Sequence, residues 1–201
     1  MRVILLRSGS SGDSNPLLDA LEAELRLAKV ATSSLFPAEM DSSVPIPRAD
    51  VAVLKDKTPA GLEWGRRLHE AGIPTVSPYP VTVLCRDKLR TNQVLAQAGL
   101  PVPECRPVTG PEDLLPMLVD GPVILKPRRG SRGRGIQVIH DSTDVPASWG
   151  AEEMFAQRYY EPETLDRKIY RIGEDVFCVE RVWPPERLRS EERRVGKECR
   201  S

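Results

Sequence analysis

One stretch of this chain carries the residue types that handle phosphate. Ile124-Leu125-Lys126-Pro127-Arg128-Arg129 runs into Gly130-Ser131-Arg132-Gly133-Arg134-Gly135. Glycines at 130, 133 and 135 let a backbone approach a ligand closely, and consecutive amides can form an anion-binding concavity. A lysine at the end of an apolar strand adds a compact positive charge for phosphate oxygens. The spacing is not that of a Walker loop, because Ile136 stands where the lysine should follow Gly135. It is not a dinucleotide fingerprint either, since Val138 replaces the third glycine. A solvated hairpin with exposed arginines fits the same residues. The stretch therefore points to phosphate without settling it.

Other residues add to the pattern. Arg86-Asp87-Lys88 opens a helix expected to run to Ala98 and stop at Gly99. Phe155-Ala156-Gln157-Arg158-Tyr159-Tyr160 follows the glycine loop, and Asp166-Arg167-Lys168 comes next in a run ending at Gly173. Each has an ordinary alternative. Lys88 could cap a surface helix, Asp166 with Lys168 could be a turn ion pair, and Arg181 could keep a strand edge soluble. Tyr159 and Tyr160 suit packing as well as stacking. His69 and His140 are solitary, which argues against metal ligation. Cys85 and Cys178 fall in apolar runs expected to be buried strands.

In this order and spacing the set resembles the ATP-grasp superfamily, in the branch of glutathione synthetases, ribosomal-protein glutamate ligases and inositol polyphosphate kinases. The resemblance spans residues 1–188 and is most specific over 86–173. It implies that Lys88 and Lys126 hold phosphates from two sides of ATP. It implies that Gly130, Ser131, Gly133 and Gly135 belong to a loop closing over the β- and γ-phosphates. Gln157 to Tyr160 would supply backbone that reads adenine, with Tyr159 inside that segment and Glu163 a ribose partner. Asp166 and Lys168 would stand near the γ-phosphate, and Arg181 would contact substrate or phosphate. The implied cofactors are ATP and Mg²⁺, and the implied reaction joins a carboxylate to an amine through an acyl phosphate. A small-molecule kinase of the inositol phosphate type, or a nucleotide-binding module without turnover, remains open.

One expected element is missing. The family holds magnesium with an acidic residue followed by Glu-x-Asn, yet the only asparagines are Asn15 and Asn92, both before the glycine loop. Glu174, Asp175, Glu180 and Glu186 have no asparagine two positions on. No metal ligand is therefore assigned, and no turnover is expected of the 201 residues as written. The run Arg189 to Cys199 resembles the in-frame translation of a sequencing adapter. The authentic frame is accordingly expected to leave this sequence near Leu188.

Elements that could position these residues are legible. Val3–Leu6 and Val51–Leu54 are apolar strands, Pro16 starts a helix capped by Ser14 or Asn15, and Leu62 to Ala71 is an amphipathic helix. Residues 33–48, rich in proline and serine, read as irregular. Residues 73–76 give a short third strand. After residue 86 come short strands at 122–126, 135–140, 155–160, 168–172 and 176–181, an antiparallel pattern. The fold class expected is α/β: a Rossmann-like pre-ATP-grasp domain at 1–85, then an incomplete α+β ATP-grasp domain at 86–188. Residues 189–201 would be a non-native tail.

Composition bounds the partners. Basic and acidic residues number 29 each, and 40% of the chain is hydrophobic. A core is affordable, and no net field favours nucleic acid or an anionic membrane. No apolar run approaches the roughly 18–20 residues a membrane span requires. Four cysteines without a CxxC pair suit reduced thiols in a cytoplasmic protein. The expected partners are ATP and a carboxylate or amine substrate, with homo-oligomerisation open.

Overall fold

A computed structural model describes residues 1–41, 43–130, 133–161 and 165–182, excepting the side chains of Asp166, Arg181 and Val182. The expected tail at 189–201 lies outside the described residues. The chain divides into two compact units, Met1–Arg86 and Asp87–Ser201.

The first unit is built on a parallel sheet of order β2-β1-β3-β4. Its strands are β1 (Arg2–Leu6), β2 (Ala31–Leu35), β3 (Val51–Leu54) and β4 (Thr75–Val76). Val3, Ile4, Leu5 and Leu6 are all buried, as a central parallel strand covered on both faces requires. Helix α1 (Pro16–Leu27) begins where Asn15 Oδ1 accepts the Leu18 amide at 3.2 Å and Pro16 supplies a preset φ. Helix α2 (Pro59–Glu70) starts the same way on Thr58, whose hydroxyl accepts the Gly61 amide at 3.1 Å. It ends at Gly72, where φ is +74°. Trp64 and Leu68 of α2 pack on Ile4, Leu6, Ala52 and Leu54. Arg7, buried at the end of β1, bonds Asp19 at 2.5 Å and Glu22 at 2.7 Å on α1 and Ser34 at 2.8 Å on β2. Replacing Asn15 by alanine leaves the Leu18 amide without its cap. We expect a loss of about 1 kcal/mol in a urea unfolding experiment.

Two readings of this unit are corrected. Residues 33–48 are not wholly irregular: 31–35 form β2, paired residue for residue with β1 from Arg2↔Ala31 to Leu6↔Leu35, and Pro37–Glu39 is a 3₁₀ turn. Pairing with a buried strand outweighs the weak strand preference of Ala-Thr-Ser-Ser, and small polar residues suit an edge. Cys85 is not in a strand but in helix α3 (Tyr79–Arg86), where it is exposed. The β-branched run Val81-Thr82-Val83 reads locally as strand, whereas the chain winds it into a helix with Thr82 buried.

The described part of the second unit opens with α4 (Lys88–Gln97). Of the helix expected from Arg86 to Ala98, Lys88–Gln97 forms α4 with Asp87 as its cap, while Arg86 is the last residue of α3. An antiparallel sheet follows in the order β5-β8-β6-β7, with strands β5 (Cys105–Val108), β6 (Val123–Pro127), β7 (Gln137–Ile139) and β8 (Met154–Arg158). Val123 and Leu125 of β6 point into a core with Val108, Leu114, Met117, Ile139, Met154 and Ala156. The strand period sends Ile124 and Lys126 to the opposite face, each half-buried. Register places Gln157 of β8 opposite both Ile124 and Cys105, so that face holds the polar residues of interest. A separate hairpin joins β9 (Leu165–Ile172) to β10 (Asp175–Val182) through Gly173, φ +63°. Tyr170, Ile172, Phe177 and Val179 are exposed along it, and so is Cys178, contrary to the burial expected of an apolar run. A two-stranded ribbon has too little surface to cover its own apolar side chains.

Candidate functional site

The parity of β6 that buries Leu125 delivers Lys126 to the polar face. Its Nζ donates to Gln157 Oε1 at 2.5 Å, across the sheet on β8. Lys88 arrives from another element, the first turn of α4, and its Nζ donates to the Pro127 carbonyl at 2.9 Å. Gly130 lies beside it, a Cβ there standing 3.8 Å from Lys88 Nζ. Two ammonium groups thus converge on one end of β6 and on the start of the glycine loop. Among the described residues neither forms an ion pair. Burial pushes both lysines below the ordinary lysine value, and for Lys126 the charge of Lys88 adds to the shift. Two desolvated cations that repel each other form a site complementary to an anion.

The loop geometry suits such a ligand. Gly130, Gly133 and Gly135 have φ values of +136°, +72° and +69°, a backbone that side chains disfavour. Gly135 is also close-packed, since a Cβ would stand 2.8 Å from Pro127 Cγ. An open cleft lined by Pro127, Arg129, Gly130, Arg134, Gly135 and Glu152 lies along the loop. Ser131 falls outside the described residues, and so does Glu163.

Beyond the lysines, β8 leads into the segment expected to read adenine. The amides of Arg158 and Tyr159 are already taken up, donating to Glu104 O at 2.8 Å and Pro122 O at 3.0 Å. The Tyr159 ring stands edge-on to His140, with centroids 6.3 Å apart. Burial raises the Tyr159 hydroxyl pKa, with a smaller contribution from Glu161. Sequence reasoning missed Arg158, whose Nη1 donates to the carbonyls of Met117 and Gly121, both at 2.8 Å. It fastens β8 to the turn before β6. Cys105, on the same face as Gln157, has a thiol raised by burial and by Glu104 and is not poised as a nucleophile.

The other three expected site residues share the β9–β10 hairpin. Asp166 pairs with Arg181 in the ladder, and Lys168, exposed, pairs with Val179 two positions on. The ladder thus brings the backbone positions of these three residues into one stretch of the ribbon. Among the described residues no three His, Cys, Asp or Glu side chains gather to hold a metal ion. No described helix is long and apolar enough to cross a membrane.

Asp87 was also passed over. It is nearly buried, caps α4 by accepting the Arg90 amide at 3.0 Å, and accepts Nε and Nη2 of Arg128 at 2.8 and 2.7 Å. The Arg128 guanidinium holds the Asp87 carboxyl below the usual carboxylate range. The signal was an aspartate immediately before a helical run, which marks a cap better than a first turn.

The lysine shifts have a pH signature. Between the lowered values and the ordinary one near 10.4, the folded chain holds fewer lysine protons than the unfolded chain. Stability gained from these groups therefore rises with pH through that window. An anion bound between the lysines would restore their protons, so its affinity falls over the same window. Calorimetry inside that window, in buffers of unequal ionisation enthalpy, should show proton uptake when ATP binds, and less uptake in Lys126→Ala. Equal uptake in both proteins would remove Lys126 from the site.

Comparisons with known proteins bear on this geometry. No family model matches the sequence. A "probable alpha-L-glutamate ligase" of Stenotrophomonas maltophilia is 26% identical over 186 residues, covering 87% of this chain and 62% of its own length. The glutamate–LysW ligase ArgX of Sulfurisphaera tokodaii is 24% identical over 203 residues, covering 94% of this chain and 71% of its own. Among solved structures, a RimK domain ATP-grasp protein from Sphaerobacter thermophilus matches with a TM-score of 0.65 at 19% identity, over 84% of this chain and 68% of that one. D-alanyl-alanine synthetase A from Vibrio cholerae also reaches 0.65, at 14% identity, over 94% of this chain and 69% of that one. These structural likenesses carry the fold. With a parallel α/β unit followed by a mainly antiparallel one, the chain shares the fold of the RimK domain ATP-grasp protein and of D-alanyl-alanine synthetase A, and it is similar in sequence to the two ligases.

Proposed function

We propose that the parent protein is an ATP-dependent carboxylate–amine ligase, and that the second unit of this chain binds the triphosphate of ATP. The observation that carries the reading is the convergence of Lys88 and Lys126 beside the glycine loop, both desolvated and neither ion-paired among the described residues. Phosphoryl transfer asks for neutralisation and positioning more than for covalent help, and this arrangement supplies both. Lys88 and Lys126 hold phosphate oxygens, and the amides of the loop line the remaining side. With the amides of Arg158 and Tyr159 spent on Glu104 and Pro122, the reading of the purine edge is assigned to the backbone just beyond them, at Tyr160 and Glu161. Arg181, opposite Asp166 in the ladder and near Lys168 along it, is assigned to offer positive charge to an acyl phosphate. The reaction forms a mixed anhydride between a carboxylate and the γ-phosphate, releases ADP, and ends when an amine displaces phosphate to give an amide.

The names of the relatives support one class of substrate. Two are named for glutamate, and D-alanyl-alanine synthetase for another amino acid, so an amino acid is the amine or carboxylate we assign. Magnesium is the usual partner of ATP in such chemistry. The described residues do not gather the oxygen ligands for it, so no step here runs through the metal. The assignment places the protein in the cytoplasm, where ATP is available.

The chain spans 62% of the length of the first curated relatives it matches. The assay is therefore run on the gene product carried to their length. With ATP, hydroxylamine and a panel of amino acids headed by glutamate, a ligase yields ADP and a hydroxamate. ADP with a phosphorylated alcohol and no hydroxamate would assign a kinase instead, and no ADP would leave a binding module.

A further inference from the structure

We infer that Asp87 and Arg128 form a positioning brace that sets the spacing of Lys88 and Lys126, an inference that rests on the nucleotide-binding reading above. Both phosphate lysines have a neighbour in this pair: Asp87 immediately precedes Lys88, and Arg128 lies two residues past Lys126. The pair closes a short circuit between α4 and β6. The Lys88 amide donates to Arg128 O at 3.1 Å, Lys88 Nζ donates to Pro127 O at 2.9 Å, and the guanidinium returns to Asp87 Oδ2 through Nε at 2.8 Å and Nη2 at 2.7 Å. The Arg128 amide in turn donates to Glu153 O at 2.8 Å, which secures the same peptide to the chain entering β8.

Asp87 divides its carboxylate between two tasks. Oδ1 caps α4 through the Arg90 amide, while Oδ2 takes the arginine. Only 11% of the Asp87 side chain is exposed, so an unpaired charge there would be costly. Deprived of Arg128, that carboxylate still has two cations near it, the Arg129 guanidinium and the ammonium of Lys88, whose protonated form it already favours. Lys88 would then be drawn towards Asp87 and away from a phosphate. Arg128 thus keeps a neighbouring anion from competing with the ligand, without touching the ligand itself.

The test is a double-mutant cycle read by ATP and AMP affinity. Arg128→Gln should weaken ATP at least fivefold and AMP less than twofold. In a Lys88→Ala background the same change should cost ATP less than twofold, because the lysine it protects is gone. Arg128→Lys should restore part of the loss. Asp87→Ser retains a capping oxygen while removing the competing, buried charge, so adding it to Arg128→Gln should restore folding and recover part of the lost ATP affinity. Equal weakening of ATP and AMP, or a loss that persists undiminished without Lys88, would reduce the pair to a structural contact and overturn the inference alone. No ATP binding by the unaltered protein would overturn the nucleotide reading and the brace together.

Discussion

Lys126→Ala is expected to weaken ATP roughly ten- to hundredfold while leaving AMP nearly unchanged. The lost group is a charged donor in a desolvated place, worth about 1.5–3 kcal/mol to an anionic acceptor. Among the described residues its hydrogen-bond partner is the neutral amide of Gln157, so removal strands no buried charge there. It also relieves repulsion with Lys88, and the empty protein should melt no lower than before. Affinity and stability therefore move apart, which a general packing defect cannot produce. Titration calorimetry with both nucleotides measures the split. Equal loss of ATP and AMP would place Lys126 outside the phosphate site.

The second large effect is expected at Gly135. A valine there must hold φ near +69° and bring its Cβ to 2.8 Å from Pro127 Cγ. Such strain costs roughly 1–3 kcal/mol. The pressure falls on the peptide whose carbonyl receives Lys88 and whose preceding residue is Lys126. ATP affinity should fall roughly five- to hundredfold, with AMP less affected. Gly133 offers an internal control. Its φ is +72° but a Cβ meets nothing within 4 Å, so Gly133→Ala carries backbone strain without collision. It should cost ATP less than Gly135→Val does. Identical behaviour of the two variants would remove the Pro127 contact from the argument.

The sequence made some of this legible for identifiable reasons. Continuous apolar runs at Val3–Leu6 and Val51–Leu54 announce buried parallel strands, and Asn15-Pro16 announces a helix start. The apolar run Val123-Ile124-Leu125 announces a strand ending at Lys126, although only the structure shows that the lysine lies on the face opposite the core. What stayed hidden depends on contacts distant in sequence. β2 exists because β1 pairs with it, although its own residues favour a loop. The helix at Tyr79–Arg86 carries β-branched residues whose local preference is for strand. Arg128 looked like one more solvating arginine until the fold brought it to Asp87, 41 positions away. The ladder pairing of Asp166 with Arg181 likewise required the register of the hairpin.

The central claim is that the terminal phosphates of ATP sit between Lys88 and Lys126. Lysine footprinting tests it most directly: the protein is acetylated with limiting acetic anhydride in the presence of ATP or AMP, and modification is quantified at each lysine by mass spectrometry. ATP should slow labelling of Lys88 and Lys126 together, AMP should slow neither, and Lys29, Lys55 and Lys57 of the first unit should label equally in both. Labelling of Lys88 and Lys126 that is indifferent to the nucleotide, or slowed as much by AMP as by ATP, would contradict the account.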